Sequence, residues 1–407
     1  MIINFSDLTG SALPGEATWN SDIDTLATEG DLTEVPVYTT SFVEDIEDRF
    51  SWTSYTDTFD ADGELVMREM LNDDGTTLDQ SFVDGVIASR VFADAIDAFS
   101  WYTQATQYDA DGARALQTDT YGNGRVVEVF YTDGVKTQTT TTDTGGVYNW
   151  QSIVDTYDGG RNLASSVMLY DDGRQLSSAF HSNGKLASTV LADLQDNYSW
   201  ITLENTYDET GARTSQTNVY DNGRVLETQY QDGVKIRIES TDTLDVCGWE
   251  STLNVFDTDG NRVSRDISYD DGRMFATEYD NGILSSRLIS DLDDAYGWTT
   301  KATTYDAAGV RDSITDTYDN GRVVEVLFEN STKTQQKTTD TQDAYHYESD
   351  IKTYDADGKL AARELVYNDG RALELVYVDG TIALRSVSDL DDAFTWDTKV
   401  TTYDAAW

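Results

Sequence analysis

Paired aspartates at one fixed spacing are the residues of this sequence best suited to chemistry. They stand at Asp94/Asp97, Asp193/Asp196, Asp242/Asp245, Asp291/Asp294, Asp340/Asp343 and Asp389/Asp392; at Asp143 the second place is taken by Gly146. Two carboxylates ~5 Å apart repel by roughly 1 kcal/mol in water and by more at a protein surface. A Ca2+ ion, held by several oxygens at about 2.3–2.6 Å, relieves that repulsion. The pairs are compatible with a calcium site, with Asp94, Asp97, Asp193, Asp196, Asp291, Asp294, Asp389 and Asp392 as ligands, but they establish no cofactor. The plainer alternative is that these aspartates cap turns and keep an edge soluble. The turns Asp60-Ala61-Asp62-Gly63, Asp109-Ala110-Asp111-Gly112 and Asp355-Ala356-Asp357-Gly358 open like a calcium loop. They lack the later ligands and the closing Glu of an EF-hand.

Catalysis has little to stand on. His181 and His346 occupy unrelated positions, and Cys247 is the single cysteine, so no intrachain disulfide forms. Cys247 reads as a packing residue. There is no nucleophile elbow, no His-rich metal spacing and no phosphate loop. Acid pairs present in six copies look structural, and the chain reads as a non-enzyme.

The acid pairs recur because the whole chain recurs. A leading aromatic falls at Trp52, Trp101, Trp150, Trp200, Trp249, Trp298, Tyr347 and Trp396, in steps of 49 or 50 residues. Seven residues on comes a second aromatic: Phe59, Tyr108, Tyr157, Tyr207, Phe256, Tyr305, Tyr354 and Tyr403. A fixed period of this size means a repeat architecture, and it overrides any domain count taken from length. Residues 1–35 do not fit the period and read as an N-terminal leader or cap. Residues 36–407 read as the array. Pro36 opens Val37–Val43, which aligns with the last strand of a unit, and the sequence stops after the first strand of another. A fragment of a longer protein is therefore expected.

Within residues 200–248 four strand-like runs are separated by turns: Trp200–Tyr207, Ala212–Tyr220, Arg224–Tyr230 and Val234 to about Ser240. Most turns carry Asp-Gly or Asn-Gly, as tight hairpins require. Thr, Val and Tyr fill the strands. In the third run Leu226, Thr228 and Tyr230 alternate with Val225, Glu227 and Gln229, so one face is more apolar than the other. The expected fold is all-β: tandem repeats of about 49 residues, each of four antiparallel strands, in an open meander or solenoid array. A β-propeller of seven or eight blades is the alternative, since one four-stranded blade per unit also fits. Equivalent aromatics of neighbouring units are expected to stack in ladders. The arginines after the second turn (Arg125, Arg174, Arg224, Arg273, Arg322, Arg371) read as partners of turn aspartates or lids over tyrosine rings.

The phrases Tyr220-Asp221-Asn222-Gly223-Arg224, Tyr318-Asp319-Asn320-Gly321-Arg322 and Tyr230-Gln231-Asp232-Gly233 resemble MORN-type and YwqK-type antitoxin repeats over about residues 36–404. They are also similar to the tyrosine-aspartate repeats of Rhs-like shells. The resemblance implies a hairpin meander without catalysis in the repeats. The sequence departs from MORN repeats in its Trp position, its acidic interunit loop and its aspartate content.

Composition narrows the setting. There are 75 acidic against 28 basic residues, a formal net charge of -47. Phosphate binding needs a basic surface, so nucleic acid is disfavoured as a partner, and anionic membrane likewise. No run reaches membrane-spanning length. The amino terminus lacks a signal peptide's basic and apolar regions. An acidic surface suits salty or calcium-containing surroundings. The sequence therefore points to a structural or adhesive protein, at the cell surface or secreted. Its partners would be proteins, itself included, or polysaccharide. A ligand-binding propeller and a cytosolic MORN-like scaffold are the alternatives.

Overall fold

The computed structural model describes residues 38–403. The leader at 1–35 lies outside them, as do Pro36, Val37 and residues 404–407. Thirty strands, β1 to β30 in chain order, form one antiparallel sheet. Every strand pairs with its neighbours in sequence and contacts no other strand. Among the described residues strand β1 (Thr39–Glu44) pairs only with β2 (Trp52–Phe59), and β30 (Thr398–Thr402) only with β29 (Thr381–Asp389). The sheet is open.

Seven four-stranded modules, here numbered 1 to 7 from the leading aromatics Trp52 to Tyr347, lie between β1 and β30. Module 4 is typical: β14 (Trp200–Tyr207), β15 (Arg213–Tyr220), β16 (Arg224–Gln231) and β17 (Val234–Asp242). The propeller alternative fails at the module boundary. Its blades would be separate sheets, but here the last strand of one module pairs with the first of the next. Thus β5 (Val86–Asp94) joins β6 (Trp101–Tyr108) from Ser89↔Gln107 to Ala93↔Thr103. Strand β1 meets β2 at the equivalent register, Thr40↔Thr58, so it is a fourth strand as its sequence indicated.

Turn chemistry fixes this register. The central residue pair of the third turn, such as Asp232-Gly233 (51° and 80°), has both φ angles positive in every module but the third, where only Gly184 does. That is the two-residue hairpin whose twist matches the strands it joins. In the first turn the Asp carboxylate caps the loop: Asp208 Oδ1 accepts from the amides of Thr210 at 2.8 Å and Ala212 at 2.9 Å. Asp60 does the same for Asp62 and Glu64, so the Asp-x-Asp-Gly phrase is a turn cap.

The core is thin. Among the described residues only Leu78, Ile267, Leu365 and Leu375 are buried apolar side chains, and none is fully enclosed. A sheet with no second layer buries each side chain only against its neighbours on the same face. The face carrying Leu226, Thr228 and Tyr230 is the better covered one, with Glu227 and Gln229 exposed on the other.

Two turns break the glycine rule. Arg161 (φ 66°) stands where other modules place the first-turn glycine, and Ser331 (φ 68°) where they place the third-turn glycine. A side chain in this region costs roughly 1–2 kcal/mol relative to glycine. Arg161→Gly and Ser331→Gly should each raise unfolding stability by about 1 kcal/mol, read as a higher denaturation midpoint; an unchanged or lowered midpoint would refute the assignment.

Candidate functional site at the loop edge

The meander sorts the connections by edge. First and third turns share one edge. Second turns and the long interunit loops share the other, and each loop folds over the second turn of its own module. Its backbone donates to the turn glycine: Leu194 N to Gly173 O at 3.1 Å, Thr243 N to Gly223 O at 2.9 Å, Leu390 N to Gly370 O at 2.8 Å.

The paired aspartates divide their labour. The first closes the loop by accepting backbone amides. Asp94 takes Ala98 N at 3.0 Å and Phe99 N at 2.6 Å. Asp193 takes Gln195 N and Tyr198 N, Asp291 takes Ala295 N and Tyr296 N, and Asp389 takes Ala393 N and Phe394 N. The second aspartate supplies a left-handed backbone residue: Asp97, Asp196, Asp294 and Asp392 have φ of 54–56°. The module with Gly146 in this place has φ 61° there, which explains the exchange. Asp tolerates this conformation better than most residues, and Gly best of all. These contacts give both aspartates a structural role. Among the described residues no group of three or more His, Cys, Asp or Glu side chains is arranged to hold a metal ion.

The amide bonds tune the acids. Burial pushes the Asp94 carboxyl up, but the amides of Phe99, Ala98, Ile96 and Asp97 together outweigh it and hold the group below its ordinary range. The Cys247 amide does most to hold Asp242 down. In modules 4 and 5 the first residue of the second turn behaves oppositely. Burial, then Asp196 and Asp193 of the preceding loop, push Asp221 up. Burial, then Asp245 and Glu250, push Asp270 up. Module 7 has Asn368 at this place, and its Nδ2 donates to Asp343 and, at 2.8 Å, to Tyr345 O.

Aromatic stacking is local. The leading aromatic lies on a ring two residues earlier, on the same face of the chain: Phe50–Trp52, Phe99–Trp101, Tyr148–Trp150, Tyr198–Trp200, Tyr296–Trp298, Tyr345–Tyr347 and Phe394–Trp396. Their centroids are 5.0–5.6 Å apart. The expected ladders between modules are not formed. Equivalent tryptophans are four strands apart, about 19 Å, far beyond ring contact. Cys247 occupies the earlier ring's place before Trp249, so this module lacks the stack. The leading tryptophans are half-buried.

The arginines extend these stacks, as lids and as ion-pair partners. Arg174 lies between Tyr170 (5.0 Å) and Tyr198 (5.4 Å) and pairs with Asp172 at 2.8 Å. Arg273 and Arg371 repeat this with Asp271 and Asp369. In two of the three modules whose turn carries Asn, the arginine instead lies closer over its own tyrosine: Arg125 on Tyr121 at 4.2 Å and Arg322 on Tyr318 at 4.0 Å, whereas Arg224 stands 5.8 Å from Tyr220. In those two modules Asn123 and Asn320 donate to the hydroxyls of Tyr148 and Tyr345. His181 is also structural, its Nε2 donating to Tyr207 O at 3.0 Å.

This exchange belongs to a second, longer period that comparing adjacent units hides. Odd modules carry Asp74, Asp172, Asp271 and Asp369 in the second turn; even modules carry Asn123, Asn222 and Asn320. Even loops carry Thr144, Thr243 and Thr341, each hydroxyl donating to the turn glycine carbonyl. Odd loops carry Ala95, Leu194, Leu292 and Leu390, the three leucines 58–65% exposed. After the third turn, Ile87, Leu186, Leu284 and Ile382 of odd modules alternate with Lys136, Lys235 and Lys333. Aligning every second unit reveals the pattern.

The opposed shifts give opposed pH effects. A carboxyl raised in the folded chain weakens the fold when ionised, and the loss is recovered as pH falls through its folded pKa toward about 3.9. A lowered carboxyl stabilises above about 3.9, and that gain is lost as pH falls through its lower folded value. Asp221→Asn should raise Tm at pH 7 and Asp242→Asn should lower it. Both differences should shrink toward zero in melts taken near or below about pH 3; equal effects at both pH values would contradict this.

No family model matches the chain, and no curated protein matches it. Solved structures similar to it include TcdB2-TccC3-TEV and TcdB2-TccC3, each at 12% identity and covering 83% of this chain, with TM-scores of 0.19 and 0.18. The chain spans 21% of the length of each. A structure described as a 6-phosphogluconolactonase (BF1038) from Bacteroides fragilis NCTC 9343 has 13% identity, covers 77% of this chain and 96% of its own, and has a TM-score of 0.15. Scores this low mark no common arrangement, and no family follows from them.

Proposed function

We propose that this chain is a non-enzymatic structural repeat protein, exported to the cell surface or the medium, that acts as a scaffold or spacer. The observation that carries the reading is the construction from seven like modules, with loop contacts spent on holding loop to turn. A surface of net charge -47 suits a salty exterior. The resemblance to non-catalytic hairpin repeats agrees with it. The edge loops are the places where a protein partner, another copy of the chain or a polysaccharide would be held. Calcium would act here by bridging loop carboxylates that the backbone amides leave partly free.

Scattering and localisation test the scaffold. A compact chain of this length has a radius of gyration of about 22 Å; an extended spacer should exceed it clearly, and a value at the compact figure argues against the role. The protein should be found in culture supernatant or on intact cells. Recovery only from lysate would favour the cytosolic scaffold instead. For calcium, Tm at millimolar Ca2+ should rise above that at matched ionic strength; equality would leave the loop acids as turn caps alone.

A further inference from the structure

The edge opposite the loops carries a recurrent groove between the third turn of one module and the first turn of the next. Its wall is the second aromatic of the following module. In two even modules the chain fills the space over that ring with its own cation. Lys136 Nζ sits 4.0 Å from the centroid of Tyr157, and Lys333 Nζ 4.4 Å from that of Tyr354. A groove of about 400 Å³ still runs beside Tyr354, so the lysine covers the ring without closing the site.

Modules 1 and 5 have the groove and the ring but an aliphatic residue in the lysine's place. A cavity of about 270 Å³ is lined by Val86, Ile87, Tyr108, Asp84 and Asp109. Its counterpart, about 210 Å³, is lined by Ile283, Leu284, Tyr305, Asp280 and Asp306. No cation lies over Tyr108 or Tyr305 among the described residues. Asp109 and Asp306 each use Oδ1 to cap their turns, and among the described residues Oδ2 of each accepts no hydrogen bond.

We infer that the grooves at Tyr108 and Tyr305 bind lysine side chains of a basic polypeptide, in the position that Lys136 and Lys333 occupy within the chain itself. The aliphatic residue packs the butyl stem, the ring face attracts the ammonium, and the free carboxylate oxygen lies on the rim. The strongly acidic surface draws such a partner in. This site goes beyond the scaffold reading and does not depend on export.

Octalysine is the probe, and tyrosine rings labelled with 13C at Cε are the reporters. At fixed ionic strength the Tyr108 and Tyr305 signals should saturate at octalysine concentrations about five-fold lower than those of Tyr157 and Tyr354, which are already capped. Ile87→Lys should move the Tyr108 midpoint to that of the capped rings and leave Tyr305 unchanged. This variant copies an even module, and an unaltered Tm verifies its fold. A single shared midpoint for all four rings would reduce the binding to diffuse charge attraction and overturn the proposal. So would silence at Tyr108 and Tyr305.

Discussion

The hydrogen-bonded ladder between consecutive strands is the only interaction that runs unbroken from Thr39 to Thr402. Among the described residues nothing packs a second layer across it, and four buried apolar side chains cannot replace one. Every other feature can be understood as support for that ladder. Two-residue hairpins with left-handed backbones set its register. Capping aspartates occupy amides that an irregular loop would leave without partners. Same-face ring stacks and arginine lids supply, strand by strand, the apolar contact that a core supplies elsewhere.

The extreme charge then has a local explanation as well as an environmental one. Among the described residues eight loops, the one from β1 to β2 included, and seven first turns each need an acceptor for converging amides, and a carboxylate is the strongest short acceptor available. Placing one in every module accumulates negative charge across the array. At the meeting of one loop with the next turn, burial first and neighbouring carboxylates second push the Asp221 and Asp270 carboxyls above their ordinary range. Asn368 shows the neutral solution at the same place.

Much of this was legible in the sequence. The period, the four strands and the turns of residues 200–248 follow from the spacing of Trp200, Tyr207 and the turn glycines, because hairpin turns have few chemical solutions. Strand β1 was recognisable as a fourth strand from the run Val37–Val43. The roles of Asp94 and Asp97 were not. Spacing shows two acids near each other, but only backbone geometry shows that one accepts amides while the other needs a left-handed φ. The stacking partner was also misplaced. Sequence equivalence puts tryptophans in columns, yet the width of four strands keeps them apart and gives the contact to Phe99 or Tyr198, two residues upstream.

The alternation of odd and even modules sets the increment by which such an array can grow. Insertion or loss of a single module would put two lysine-bearing or two leucine-bearing neighbours side by side and shift the phase of everything beyond. Only changes by whole pairs keep the surface pattern in step, so the unit of that pattern is the doublet, eight strands wide, although the backbone repeats every four.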